Sequence, residues 1–316
     1  MLISALLIIV GFALLILGAD WLVNGSSSIA KKFHIPEIII GLTIVSIGTS
    51  MPELFVSTTS SLDGFSDISI GNVIGSNLCN LLLILGISTI IKPVDFQKET
   101  KIFEIPMCLL FTIIFIIICN TGGIISRIES AILIILFILF IAYTIIMAKK
   151  QNTIENSKKT TFGKKTLLIV RDVILITLGI IGLKVGGDLA VDNAVNIANY
   201  FNVSEKIISL TILAVGTSLP ELVTSVTAAI KGNSDIAIGN IIGSNIFNML
   251  LIVGVASFIK PIIYNFSYNL DLSILIIATL VLALFPIIPP KNKMSRVNGT
   301  IYFLMYIIYL AILFLI

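Results

Sequence analysis

The sequence predicts an all-α membrane protein of ten transmembrane helices, arranged as two inverted-topology five-helix repeats. Three observations lead there. The 316-residue chain is 57% hydrophobic and 12% charged, with a mean hydropathy of +1.11, which leaves too few polar side chains to cover a soluble globule. Apolar runs long enough to cross a bilayer, about 20 residues each, recur with short polar breaks between them. Finally, Gly18 to Pro93 aligns without a gap onto Gly186 to Pro261 at a constant offset of 168, with roughly half of the positions identical. The hydrophobicity excludes intrinsic disorder. The net charge of +3 is too small to suggest a nucleic-acid partner. Cys79, Cys108 and Cys119 lie in apolar stretches, form no CxxC pair and read as buried thiols.

The expected spans are 2–22, 37–60, 70–91, 102–119, 128–147, 167–188, 206–230, 237–259, 271–289 and 299–316. The first has neither a basic leader nor an A-x-A-like cleavage site, so it reads as a span and not as a signal peptide. The second and third carry the two polar motifs of the first half, and the seventh and eighth carry their copies. Between spans five and six, residues 148–166 hold Lys149, Lys150, Lys158, Lys159, Lys164 and Lys165 and read as a cytoplasmic tether. Alternation from that point places sixteen of the twenty basic residues inside and leaves Arg127, Lys184, Lys206 and Lys260 outside. Both termini then lie outside the cell. The first repeat is residues 1–147, with its motif-bearing segment at 37–91, and the second is 167–316, with its segment at 206–259. Each repeat holds an odd number of spans, so the second enters the membrane from the opposite side, as in secondary transporters.

Two segments carry chemistry. Gly48-Thr49-Ser50-Met51-Pro52-Glu53 and its copy Gly216-Thr217-Ser218-Leu219-Pro220-Glu221 fall mid-way along apolar spans. A carboxylate there costs roughly 2.5–3.5 kcal/mol on insertion scales and needs a partner or a wet cavity. Pro52 has no N–H to donate to the Gly48 carbonyl, and Pro220 none for that of Gly216. Ser46 and Ala214 lie one step further back on the same loosened turns. Thr49, Ser50 and Ser57 share a helical face with Glu53, as Thr217, Ser218 and Ser225 do with Glu221. Carboxylates, hydroxyls and backbone carbonyls form an all-oxygen set that suits Ca²⁺ and Na⁺, while zinc and copper fit poorly. The competing reading is a simple proline kink with each glutamate paired to a buried base, but no Lys or Arg falls mid-span to serve.

The second pair is Gly71-Asn72-Val73-Ile74-Gly75-Ser76-Asn77-Leu78-Cys79-Asn80 and Gly239-Asn240-Ile241-Ile242-Gly243-Ser244-Asn245-Ile246-Phe247-Asn248. Glycines four apart let helices approach closely. The side chains of Ser76, Asn80, Ser244 and Asn248 read either as additional cation ligands or as interhelical hydrogen bonds, and spacing leaves both readings open. Asp20 and Asp188 read as solvated interfacial acids, and Asp63 and Asp67 as turn residues. His34 reads as a residue of a cytoplasmic turn. Trp21, Tyr143, Tyr302, Tyr306 and Tyr309 read as interfacial anchors.

At these motifs the chain resembles the calcium/cation antiporter superfamily, and its sodium/calcium exchanger branch most closely. The doubled G-T-S-x-P-E and G-N-x-x-G-S-N are similar to that superfamily's two α-repeats. The resemblance implies a core of spans two, three, seven and eight, across which the first and sixth slide. It implies ligands at Thr49, Ser50, Glu53, Thr217, Ser218 and Glu221. The carbonyls of Ser46 and Ala214 and the side chains of Ser76, Asn80, Ser244 and Asn248 complete the implied set. Many exchangers carry Asp where Asn248 stands, characteristically the potassium-dependent ones, so Asn248 speaks against potassium dependence and leaves two carboxylates in the site. The proton-coupled branch tends to carry a further glutamate after its G-N-A motif, and Val73 to Ser76 and Ile241 to Ser244 hold none.

The leading expectation is a secondary active antiporter exchanging Na⁺ for Ca²⁺ by alternating access at a midplane site built from two glutamates. A Ca²⁺/H⁺ antiporter ranks second and a cation channel third. An enzyme ranks last, because no nucleophile–base pair or catalytic metal motif is present. The expected partners are Ca²⁺, Na⁺ and the lipid bilayer, with H⁺ as a competitor, and no cofactor is expected. The Lys- and Ile-rich, cysteine-poor chain fits a prokaryotic plasma membrane.

Overall fold

Within a bilayer no water is available to satisfy an unpaired backbone group, so long apolar segments close their hydrogen bonds on themselves as helices. The computed structural model describes residues 2–152, 162–201, 214–289 and 291–315. Its helices are α1 (Leu2–Phe33), α2 (Glu37–Thr49), α3 (Met51–Asp63), α4 (Ser66–Ile91), α5 (Thr100–Asn120), α6 (Arg127–Asn152), α7 (Phe162–Tyr200), α8 (Ala214–Thr217), α9 (Leu219–Lys231), α10 (Ser234–Ile259), α11 (Asn269–Leu284) and α12 (Arg296–Leu315). Among the described residues eight helices are long and apolar enough to cross a membrane, and α2 with α3, bent by 49° at Ser50, makes a ninth. The expected span 206–230 is described only from Ala214 onward, since residues 206–213 lie outside the described residues. Of the expected tether, 148–152 and 162–166 continue the flanking helices, and 153–161 lie outside the described residues.

α1 and α7 run well past the expected ends at 22 and 188, to 32 and 39 residues. Over residues 11–25 of α1 and 172–190 of α7 the two helices pack on each other. A Cβ on Gly11 would lie 2.8 Å from the Gly186 carbonyl oxygen, and one on Gly18 would lie 2.8 Å from that of Gly179. On Gly25 it would lie 2.9 Å from the Asp172 carbonyl oxygen. As numbers rise along α1 they fall along α7, so the two helices pack antiparallel with backbones in direct contact. Several polar groups along both helices are paired. Lys184 meets Asp188 at 2.8 Å, and Lys231 of α9 meets Asp20 at 2.5 Å. The Lys32 ammonium binds the fully buried Asp172 carboxylate.

α4 and α10 form the centre: 78% and 83% of their apolar windows are buried, against 33% for α1 and α7. One apolar cluster joins α4, α5, α6, α10, α11 and α12, and a second joins α1 and α7 to α2, α9 and the start of α10. Two short antiparallel ladders add minor strands to the helical fold. Val94 and Asp95 pair with Met294 and Lys293, and Ile124 and Ile125 pair with Ile263 and Ile262. The interfacial expectation fails for three tyrosines. Tyr302, Tyr306 and Tyr309 are buried, and the Tyr302 and Tyr309 hydroxyls donate to the Ala278 carbonyl and the Asp271 carboxylate. A buried phenol keeps its place in a core when its O–H finds an acceptor. His34 does fall in the α1–α2 turn, with a left-handed φ of 52°.

Candidate cation site

The site grows from two helix breaks. Ser50 (φ −86°, ψ 9°) interrupts the chain between α2 and α3, and Ser218 (φ −90°, ψ 7°) does so between α8 and α9. In each case a proline occupies the first turn of the helix that follows, where its missing N–H is harmless. Glu53 and Glu221 come next, in the first turns of α3 and α9. A helix N-terminus carries partial positive charge and favours a carboxylate there. Both glutamates are 1% exposed.

The two breaks bond to each other. The Ser50 hydroxyl donates to Glu221 Oε1 at 2.7 Å, and the Ser218 hydroxyl donates to Glu53 Oε1 at 3.4 Å. Ser76 of α4 also donates to Glu53 Oε1, at 3.5 Å, and meets Ser218 Oγ at 3.3 Å. Thr49 donates to Asn240 Oδ1 at 3.1 Å. Asn240 in turn donates to Ser225 at 2.9 Å, as Asn72 does to Ser57 at the same distance. Two of these contacts recur at the offset of 168: Ser50 to Glu221 as Ser218 to Glu53, with the halves exchanged, and Asn240 to Ser225 as Asn72 to Ser57, within each half.

The remaining oxygens are the informative ones. Among the described residues Glu53 Oε2 and Glu221 Oε2 are buried and accept no hydrogen bond, and neither glutamate has an ion-pair partner. Ser244 Oγ, Asn248 Oδ1 and both polar atoms of Asn80 are buried without a partner as well. Asn80 lies in a π-helical segment, Cys79–Ile84, and Asn248 opens another, Asn248–Ile252. Such single wide turns in α-helices are frequent at functional sites. Asn248 Nδ2 donates to Asn77 Oδ1 at 3.1 Å, and Asn245 Nδ2 to the Asn77 carbonyl at 3.3 Å. This asparagine bridge joins α4 to α10 and was not distinguishable in sequence from lone packing asparagines, because its partners lie 168 or more residues apart.

Of the twelve expected site residues, Thr49, Ser50 and Glu221 enter one hydrogen-bonded group through Asn240, and Glu53, Ser76 and Ser218 enter a second. Ser46 is fully buried. Its carbonyl accepts the Ser50 N–H at 3.0 Å and the Thr49 hydroxyl at 3.3 Å, because Pro52 withholds its N–H from Gly48 and not from Ser46. Ala214 is the first residue of α8. Thr217 is less buried than Thr49. With Pro52, Pro220, Asp188 and Asp192 it lines a cavity of about 250 Å³ beside α7. The glycine reading holds where α10 meets α2: Cβ atoms on Gly239 and Gly243 would lie 2.6 Å from Ile38 O and Ser46 Oγ.

The chain matches the family model described as "Sodium/calcium exchanger protein" over residues 3–146 and 172–315. It is 37% identical to a putative antiporter, CaxA, of Alkalimonas amylolytica, covering 99% of both chains. It is also 37% identical to the inner membrane protein YrbG of Escherichia coli, covering 90% of this chain and 89% of that one. Among solved structures it is similar to the sodium-calcium exchanger NCX_Mj soaked with Na⁺ and Sr²⁺, with a TM-score of 0.86, 34% identity and 98% of each chain covered.

Proposed function

The chain belongs to the sodium/calcium exchanger family and is an integral, multi-pass membrane protein, and from that premise we propose that it is a secondary active antiporter exchanging Na⁺ for Ca²⁺. One observation carries the site assignment: two buried glutamates, each held on one oxygen by the other half's serine, each keep a second oxygen without a hydrogen-bond partner among the described residues. An unpaired buried carboxylate is costly in a membrane. A hard cation between the two removes that cost, and two carboxylates balance the charge of one Ca²⁺. Thr49, Ser50, Thr217, Ser218, Ser76, Ser244, Asn80 and Asn248, with backbone carbonyls at the breaks, supply the neutral oxygens.

In this reading the ten spans form two inverted five-span repeats, 1–147 and 167–316, joined by a cytoplasmic tether at 148–166, with both termini outside the cell. The reciprocal contacts support that symmetry, and so does the antiparallel seam between α1 and α7. Alternating access follows when α1 and α7 move as a pair across the centre. Their seam is backbone on backbone, so the pair slides as one body.

The test is Ca²⁺ uptake into vesicles holding the purified protein, with and without an opposing Na⁺ gradient. Uptake driven by outward Na⁺ supports the reading. Uptake driven by a proton gradient alone replaces Na⁺ with H⁺ as the coupled ion, and single-channel current without coupling excludes an antiporter.

A further inference from the structure

Away from the paired glutamates, another buried acid has an unused oxygen. Glu104 ends the π-helical turn Thr100–Glu104 at the start of α5 and is 6% exposed. Its Oε2 accepts no hydrogen bond among the described residues. It lines a cavity of about 20 Å³ together with Gln97, Glu99, Tyr143 and Thr144. A cavity holds one water-sized species once it exceeds about 10–15 Å³. The Tyr143 hydroxyl also lies buried without a partner, while its ring leans on Phe103 with centroids 5.8 Å apart.

The second half of the molecule provides the contrast. Asp271 is buried in the first turn of α11, and Tyr309 of α12 donates to its Oδ1 at 2.7 Å. There acid and phenol satisfy each other. At Glu104 an acid and a phenol on the neighbouring pair of helices, α5 and α6, line one small cavity without bonding each other. The other donors are oxygens too. Gln97 gives its amide N–H to Asp235, which leaves Gln97 Oε1 available. The nearby Lys101 ammonium is engaged by Asn292 Oδ1 at 2.7 Å.

We propose that this cavity is a second cation site, distinct from the paired glutamates, which takes one Ca²⁺ between the Glu104 and Glu99 carboxylates. Gln97, Thr144 and Tyr143 contribute neutral oxygens, and two carboxylates match the divalent charge. Pro36 and Leu42 also line the cavity. A bound ion therefore bears on α2, the helix that leads to Thr49 and Ser50, and sets how readily that helix moves.

The experiment uses the full chain in detergent with Glu53→Gln and Glu221→Gln, so that the paired-glutamate site is silent whatever it transports. Tb³⁺ is the probe, because its emission is sensitised by a tyrosine at the ion. The expected result is tyrosine-sensitised emission that Ca²⁺ displaces, with apparent affinity falling about tenfold or more on adding the isosteric Glu104→Gln. Ca²⁺ should also raise the melting temperature of the double variant and not of the triple one. Absence of Ca²⁺-displaceable emission overturns the proposal, as does emission unchanged by Glu104→Gln. Should the double variant fail to fold, the wild-type chain serves: the expected result is that Glu104→Gln alone removes part of its Ca²⁺-displaceable emission, and emission unchanged by Glu104→Gln overturns the proposal.

Discussion

At the scale of the residue, the glutamates determine what the centre of the molecule can do. Each is almost wholly buried, in contact with the other half's serine and without an ion-pair partner among the described residues. Replacing either with glutamine keeps the shape and removes one charge from the proposed ion shell. A charged ligand contributes about 1.5–3 kcal/mol, so Glu53→Gln or Glu221→Gln should slow Ca²⁺ exchange by roughly 100-fold. The protein should still elute as a folded species on size exclusion. Wild-type flux from either variant would remove the glutamates from the mechanism. Protons compete for the same carboxylates, so exchange should fall as the medium is acidified from neutral into the mildly acidic range. A flat rate across that range counts against carboxylate ligation. Asn248 contributes an oxygen and no charge, and Asn248→Asp should alter cation preference or pH dependence more than it alters the melting temperature.

At the scale of the element, the glycine seam between α1 and α7 controls how the helices pack. A Cβ on Gly186 would lie 2.7 Å from the Gly11 carbonyl oxygen, which is backbone and has nowhere to move. Overpacking of this kind costs about 1–3 kcal/mol. Gly186→Ala should therefore lower the melting temperature in detergent and slow exchange together, whereas Gly122→Ser, in a turn open to solvent, should slow exchange little. Gly122 itself takes φ 99°, so some loss of stability is expected there too. The helix breaks are elements of the same kind. Pro52→Ala restores an N–H that can reach the Gly48 carbonyl, which straightens α2 into α3. Calcium flux in that variant should fall several-fold with little loss of stability, because Pro52 sits in the first turn of α3, where its removal costs no hydrogen bond.

At the scale of the whole molecule, two carboxylates and no third set the charge of the proposed site. Ca²⁺ leaves the proposed site neutral, and more than two Na⁺ leave it positive. Moving one such charge through the membrane field is worth roughly 2.3 kcal/mol per 100 mV. Exchange should then depend on voltage and proceed without potassium. Calcium uptake in vesicles clamped at different potentials, with potassium present or omitted, checks both. Uptake indifferent to voltage, or strictly requiring potassium, shows the charge count to be wrong.

The repeat at offset 168, the apolar runs and the two G-T-S-x-P-E segments are local patterns, and a linear reading suffices for them because each depends on neighbours within a few turns. So the class of fold, the broken helices and the two mid-span glutamates were legible in the chain alone, whereas the burial of Glu104, Asp172 and Asp271 was not. The seam between α1 and α7 was not legible either, because a glycine's value to a helix depends on what faces it, and the facing backbone is more than 140 residues away. The burial of Tyr302, Tyr306 and Tyr309 escaped for the same reason: an aromatic ring with a polar tip suits an interface or a core, and only the acceptor it meets, Ala278 or Asp271, decides between them. Likewise composition indicates that Glu53 and Glu221 need a partner. That the partner oxygen on each belongs to the other half's serine, while the second oxygen has no hydrogen-bond partner among the described residues, is decided by tertiary packing, since hydrogen bonding at this range is set by where helices cross and not by the spacing of residues along them.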